Sequence, residues 1–80
     1  MTADELYHAA LEATARAHPP FSNLHVGAVL ETTDGTLIAG ANVEFGSYGL
    51  TICAERTALV KAVTDGHRTF RRIGVARADK

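Results

Sequence analysis

From Leu24 to Glu31 the apolar residues fall on alternate positions, directly after a pair of prolines, and this run limits the possible folds more than any other feature. Leu24, Val26, Ala28 and Leu30 take one side, and His25, Gly27, Val29 and Glu31 the other, the two-residue period of a β-strand. Asp34-Gly35 supplies a turn and Leu37-Ile38-Ala39 a second short strand, so residues 24 to 41 read as an antiparallel hairpin. Pro19-Pro20 ends whatever comes before, because the first proline also drives His18 out of helical space.

What comes before reads as a helix. Thr2-Ala3-Asp4-Glu5 has the capping-box spacing, in which the Thr oxygen accepts an amide of the first turn and the Glu reaches back to the cap. The helix is expected from about Ala3 to Ala17, with Leu6, Ala9, Ala10, Ala13 and Ala17 as its inner stripe. After the hairpin, Asn42-Val43-Glu44-Phe45-Gly46-Ser47-Tyr48-Gly49 is too polar and glycine-rich for a regular element. A second helix is expected from about Cys53 to Thr64, turning Ala54, Ala58, Leu59, Ala62 and Val63 to a core and stopping at Asp65-Gly66.

Ile73-Gly74-Val75-Ala76 is apolar on both faces, the composition of a strand covered from both sides. A strand, helix, strand crossover implies a mixed or parallel sheet, and the fold class is α/β. In such sheets ligands bind beyond the carboxyl ends of the strands.

The chain contains no repeat or low-complexity tract, so residues 1–80 read as one domain segment. At this length burial and chain entropy nearly cancel. The expectation is a chain marginal alone, stabilised by a metal or an oligomer, or forming part of a larger folding unit. With 46% hydrophobic and 21% charged residues it is an ordinary globular sequence and not a disordered one. A net charge of −1 offers no basic excess for nucleic acid. No apolar run has the length of a membrane span or signal core, and Asp4 and Glu5 make the N-terminus acidic, so the expected compartment is the cytoplasm. The single cysteine, Cys53, excludes an internal disulfide and leaves a reactive thiol or a metal ligand as its options.

Cys53, Glu55 and Arg56 stand together at the expected start of the second helix, where free amides and the helix dipole favour a thiolate. Taken alone, a lone cysteine at such a place is usually a small buried hydrophobe. Asn42 and Glu44, one residue apart, would point the same way in an extended loop and could hold a diol, or belong to a solvated turn. His8, His18, His25 and His67 lack metal-ligand spacing, and Ser22, Ser47 and Thr51 show no His/Asp partnership.

Taken in order, Pro20-Phe21-Ser22-Asn23-Leu24, Val26-Gly27-Ala28, Asp34-Gly35, Gly40-Ala41-Asn42-Val43-Glu44, Ser47-Tyr48-Gly49 and Thr51-Ile52-Cys53-Ala54-Glu55-Arg56-Thr57-Ala58 closely resemble the N-terminal half of the small zinc-dependent cytidine deaminases that act on free nucleosides. The resemblance runs from about Pro19 to Gly66, and Asn-Val-Glu and Cys-Ala-Glu-Arg-Thr-Ala are its specific parts. It implies a three-layer α-β-α fold, of which this chain would be the N-terminal helix, β-hairpin, helix and strand portion of a mixed sheet. It also implies hydrolytic deamination of cytidine and deoxycytidine in pyrimidine salvage, with zinc as cofactor, free pyrimidine nucleoside and water as partners, and a homo-oligomer, a tetramer in the family.

By the same resemblance Cys53 would be a zinc ligand and Glu55 the proton carrier. Asn42 and Glu44 would hold the ribose 3′-hydroxyl, Phe21 would pack on the pyrimidine, and the Ala54 backbone would read the base. Tyr48 and its loop would help build a neighbouring subunit's site. Three thiolates would leave the zinc centre with one negative charge, which Arg56 would offset by hydrogen bonding to sulfur. The sequence departs from the family in having no Pro-Cys-x-x-Cys, since Cys53 is its only cysteine. A catalytic zinc takes three protein ligands. The expectation is therefore a partial domain, inactive alone, whose remaining ligands lie beyond Lys80; the alternative is a non-catalytic module or relic that keeps the half-fold.

Overall fold

The computed structural model describes residues 2–20, 22–44 and 53–79. Thr2 caps the first helix: its hydroxyl accepts from the Glu5 amide at 3.1 Å, and the Glu5 carboxylate accepts from the Thr2 amide at 2.8 Å. Helix α1 runs Ala3–Ala13 and tightens into a 3₁₀ turn over Thr14–Arg16, so the helical segment expected to Ala17 ends in a narrower winding. The Thr14 hydroxyl, which donates to the Leu11 carbonyl at 2.6 Å, accompanies that change.

The hairpin forms strands β1, Leu24–Thr32, and β2, Leu37–Ala41. Helix α2, Ala54–Thr64, follows, and then strand β3, Phe70–Asp79. The α2 stop has a physical cause in Gly66, whose φ of 100° is open to glycine without steric cost. Around it the His67 amide donates to Ala62 at 2.9 Å and the Gly66 amide to Val63 at 3.1 Å, satisfying the last carbonyls.

The strand order is β2-β1-β3. β1 pairs antiparallel with both neighbours, Ala28 facing Gly40 on one side and Val75 on the other. β2 and β3 thus run parallel to each other, as the crossover through α2 requires, but β1 lies between them. Both pairings of β1 are antiparallel, and the isolated bridge of His18 with Val43 is parallel, so the crossover through α2 joins strands that are parallel but not adjacent.

Each face of the sheet carries one helix. Leu6 and Ala10 of α1 pack on Val29 and Ala76, and Ala54, Ala58 and Ala62 of α2 pack on Ala28, Leu30 and Ile38. The alternation of β1 is therefore real, with Ala28 and Leu30 on the α2 side and Val29 on the α1 side. Glycine lets both helices come close: a Cβ at Gly27 would lie 2.2 Å from the Ala10 carbonyl oxygen, and one at Gly40 would lie 2.4 Å from the Ala58 nitrogen.

Two core expectations fail. Leu59 and Val63 do not enter the core, being 44% and 39% exposed, because α2 rests on its alanine stripe alone. Ile73 and Val75 are likewise half-exposed, because α2 lies over β1 and β2 and leaves β3 uncovered on that side. No helix among the described residues is long and apolar enough to cross a membrane.

Candidate active site

Where β1 begins and β2 ends, the start of α2 is brought to the same end of the sheet. A cleft of about 360 Å³ opens there, lined by Leu24, Val26, Asn42, Glu44, Cys53, Ala54, Glu55 and Val75. A smaller hollow of about 200 Å³ lies against α1 and β2, lined by Ala9, Glu12, Ala13, Arg16 and Ala39, and brings no thiol to its acid. The larger cleft unites residues that are far apart in sequence and chemically distinct.

Cys53 is the N-cap of α2, in extended conformation, and its side chain makes no capping hydrogen bond. The thiol is exposed. Both features suit a sulfur offered to something outside the helix, next to first-turn amides that have no acceptor within the helix. Thr57 secures the same turn, its amide and its hydroxyl each donating to the Cys53 carbonyl at 3.0 Å. Ala54 is fully buried, which fixes the backbone between the sulfur and Glu55. Glu55 is exposed and lines the cleft with Cys53. Arg56 is exposed on the same turn and is not among the lining residues.

Asn42 is buried and does more than line the cleft. Its Oδ1 accepts from the Val26 amide at 2.9 Å, and its Nδ2 donates to the Leu24 carbonyl at 2.7 Å. The side-chain amide thus stands in for a strand partner and carries the pairing of β1 past the end of β2. Its backbone is tied as well, the amide donating to Val26 and the carbonyl accepting from His18.

Glu44 is held from the segment before β1. Its amide donates to the His18 carbonyl at 2.8 Å, and its carboxylate accepts from the Ser22 amide at 3.1 Å and the Ser22 hydroxyl at 2.6 Å. The sequence reading gave Ser22 no role in the site, although a serine two residues before a strand is a turn signal, and here its hydroxyl accepts from the Leu24 amide at 3.2 Å. The apolar walls Leu24, Val26 and Val75 were read only as strand residues.

The sequence-predicted residues Cys53, Ala54, Glu55, Asn42 and Glu44 therefore share one cleft. Phe21 and Tyr48 lie outside the described residues. Cys53 fits a metal ligand in type and exposure, but no group of three His, Cys, Asp or Glu side chains stands together among the described residues. A catalytic zinc takes three protein ligands, and the described residues bring no such group together.

Comparison with known proteins gives the family of the chain. The family model described as "Cytidine and deoxycytidylate deaminase zinc-binding region" matches residues 1–75. A probable cytidine deaminase of Dictyostelium discoideum is 55% identical over 60 residues, 75% of this chain and 41% of that protein. A cytidine deaminase of Halalkalibacterium halodurans is 52% identical over 66 residues, 82% of this chain and 50% of that protein. The crystal structure of cytidine deaminase from Burkholderia pseudomallei superposes with a TM-score of 0.93 at 48% identity, covering 96% of this chain and 62% of that one. The chain spans about half the length of these curated relatives. With a family match over nearly all its residues and the fold of a cytidine deaminase, the chain belongs to the cytidine and deoxycytidylate deaminase family, whose zinc-binding region gives it zinc as cofactor.

Proposed function

We propose that this chain is the N-terminal part of a zinc-dependent hydrolase that converts cytidine and deoxycytidine to uridine and deoxyuridine with release of ammonia. The observation that carries the reading is the meeting of Cys53 and Glu55 with Asn42 and Glu44 around one cleft. A thiol and a carboxylate suited to a metal and a proton, in one cleft with an amide and a carboxylate suited to hydroxyl groups, match a nucleoside in chemistry.

Cytosine C4 is a weak electrophile and its amino group a poor leaving group, so the reaction needs an activated water and protons delivered at two places. Zinc, when bound, supplies the water activation. Glu55 takes the proton from the attacking water and gives it to N3 as the C4–O bond forms, then carries a second proton to the amine as the C4–N bond breaks. The Ala54 amide, at the first turn of α2, reads the base, and Phe21 packs on it. Asn42 and Glu44 hold the 3′-hydroxyl; Asn42 uses one amide hydrogen and one acceptor site on β1, which leaves donor and acceptor capacity for the sugar. Arg56 offsets the negative charge of the thiolates around the metal.

The other zinc ligands come from sequence outside these residues, and the 80-residue chain alone is inactive. A homo-oligomer, a tetramer by family resemblance, with a cytoplasmic role in pyrimidine salvage, belongs to the same reading. The test uses the protein in its full encoded length, with zinc content and ammonia release from cytidine both measured. Glu55→Gln is expected to keep stoichiometric zinc and lose at least about a thousand-fold in kcat, while Cys53→Ala loses zinc. Undiminished turnover by Glu55→Gln would overturn the reading. The competing reading, a non-catalytic module, rests on the single ligand among the described residues and predicts neither zinc nor ammonia release from the encoded protein.

A further inference from the structure

Ser22 clamps the Glu44 carboxylate at the cleft with two donors. The Ser22 amide donates to Oε1 at 3.1 Å and the Ser22 hydroxyl to Oε2 at 2.6 Å, one donor for each carboxylate oxygen. The hydroxyl is itself oriented, because it accepts from the Leu24 amide at 3.2 Å and so has its proton directed to the carboxylate. Asn23, at a φ of 57°, turns the chain between them, and its amide donates to the Pro19 carbonyl at 3.0 Å. The Glu44 backbone is bonded to His18 of the same segment. Backbone and side chain of Glu44 are thus referenced to His18 and Ser22, although a glutamate on a loop would otherwise sample many rotamers.

We infer that Ser22 is a positioning residue for sugar recognition: its amide and hydroxyl fix the Glu44 carboxylate in the orientation that accepts a nucleoside hydroxyl. This rests on the reading that Glu44 takes the 3′-hydroxyl. A carboxylate accepts up to about four hydrogen bonds, so one donor on each oxygen fixes its plane. The role differs from a purely structural one in its substrate dependence, since it bears only on ligands that have the hydroxyl.

The test compares cytidine with 3′-deoxycytidine in the full-length, zinc-loaded parent protein and in Ser22→Ala and Ser22→Thr. The parent is expected to lose about ten-fold or more in kcat/KM on removal of the hydroxyl, as for a hydrogen bond to a charged group. Ser22→Ala should lose about ten-fold with cytidine, mainly through KM, and stay within about two-fold of the parent with 3′-deoxycytidine. Ser22→Thr, which keeps the hydroxyl, should restore cytidine, and Ser22 is exposed enough to take the methyl group. Equal losses of Ser22→Ala on both substrates, unchanged activity on cytidine, or failure of Ser22→Thr to restore it would overturn the inference. A parent that does not distinguish the two substrates would instead remove the reading of Glu44 on which it rests.

Discussion

Glu31 is a buried carboxylate on the α1 face of β1, and the residue opposite it on β3 is Arg72. Arg72 Nε meets Glu31 Oε1 at 2.8 Å, and this hydrogen bond holds the Glu31 carboxyl below its ordinary value of 4.5. A group depressed in the folded state contributes stability that is fully present above its unfolded value and is lost as pH falls through the folded one. Glu31→Gln should therefore flatten the fall in urea-unfolding stability below pH 4.5. It should not abolish the fall, because Asp34 is held down to about 2 by the Thr32 hydroxyl and then the Thr36 amide, and Glu5 is lowered by its Thr2 cap. An unchanged acid limb in Glu31→Gln would show that the pair does not titrate with folding.

At the scale of elements, α2 brings Cys53 and Glu55 to the cleft, and its seat is the contact of Ala54, Ala58 and Ala62 with the sheet at Gly40. A methyl group at Gly40 would lie 2.4 Å from the Ala58 nitrogen and 2.9 Å from the Ala54 carbonyl oxygen, both backbone atoms that cannot swing aside. Gly40→Ala should lower stability by roughly 1–3 kcal/mol and weaken zinc binding in the full-length protein, whereas Leu59→Ala on the exposed side should change stability by about 0.5 kcal/mol or less. Thermal melting and a zinc-chelator competition check both; a Gly40→Ala protein with parental zinc affinity would refute the seating argument.

The elements were legible where local chemistry is decisive. The Thr2–Glu5 box, the β1 alternation and the Asp65-Gly66 stop all appear where the sequence predicts them. Leu59, Val63, Ile73 and Val75 misled because hydrophobicity marks what can be buried, not which surface has a neighbour over it. The cleft residues Asn42, Glu44, Cys53 and Glu55 were legible through a motif. Ser22 was not, since its partner lies 22 residues away and no spacing announces such a bond. The bonds from the Asn42 side chain to β1 were hidden for the same reason.

At the scale of the whole molecule, the described residues leave apolar side chains of α2 and β3 exposed on one face of the sheet. Leu59 and Val63 on α2 and Ile73 and Val75 on β3 are between 39% and 45% exposed, and apolar surface of this kind associates in water. The 80-residue chain by itself should therefore self-associate as its concentration rises, and Leu59→Gln with Ile73→Thr should shift it towards monomer. Sedimentation velocity checks this, and identical profiles for the two proteins would refute it. The seat of α2 has a last consequence. Where α2 crosses Gly40, backbone meets backbone with no side chain of the strand between them, while Leu30 and Ile38 fill the contact on either side. The Cys53 backbone, at the N-cap of α2, should follow β2 like a tooth cut from the same plate, so heating that leaves the sheet intact should leave its spacing to Asn42 and Glu44 unchanged.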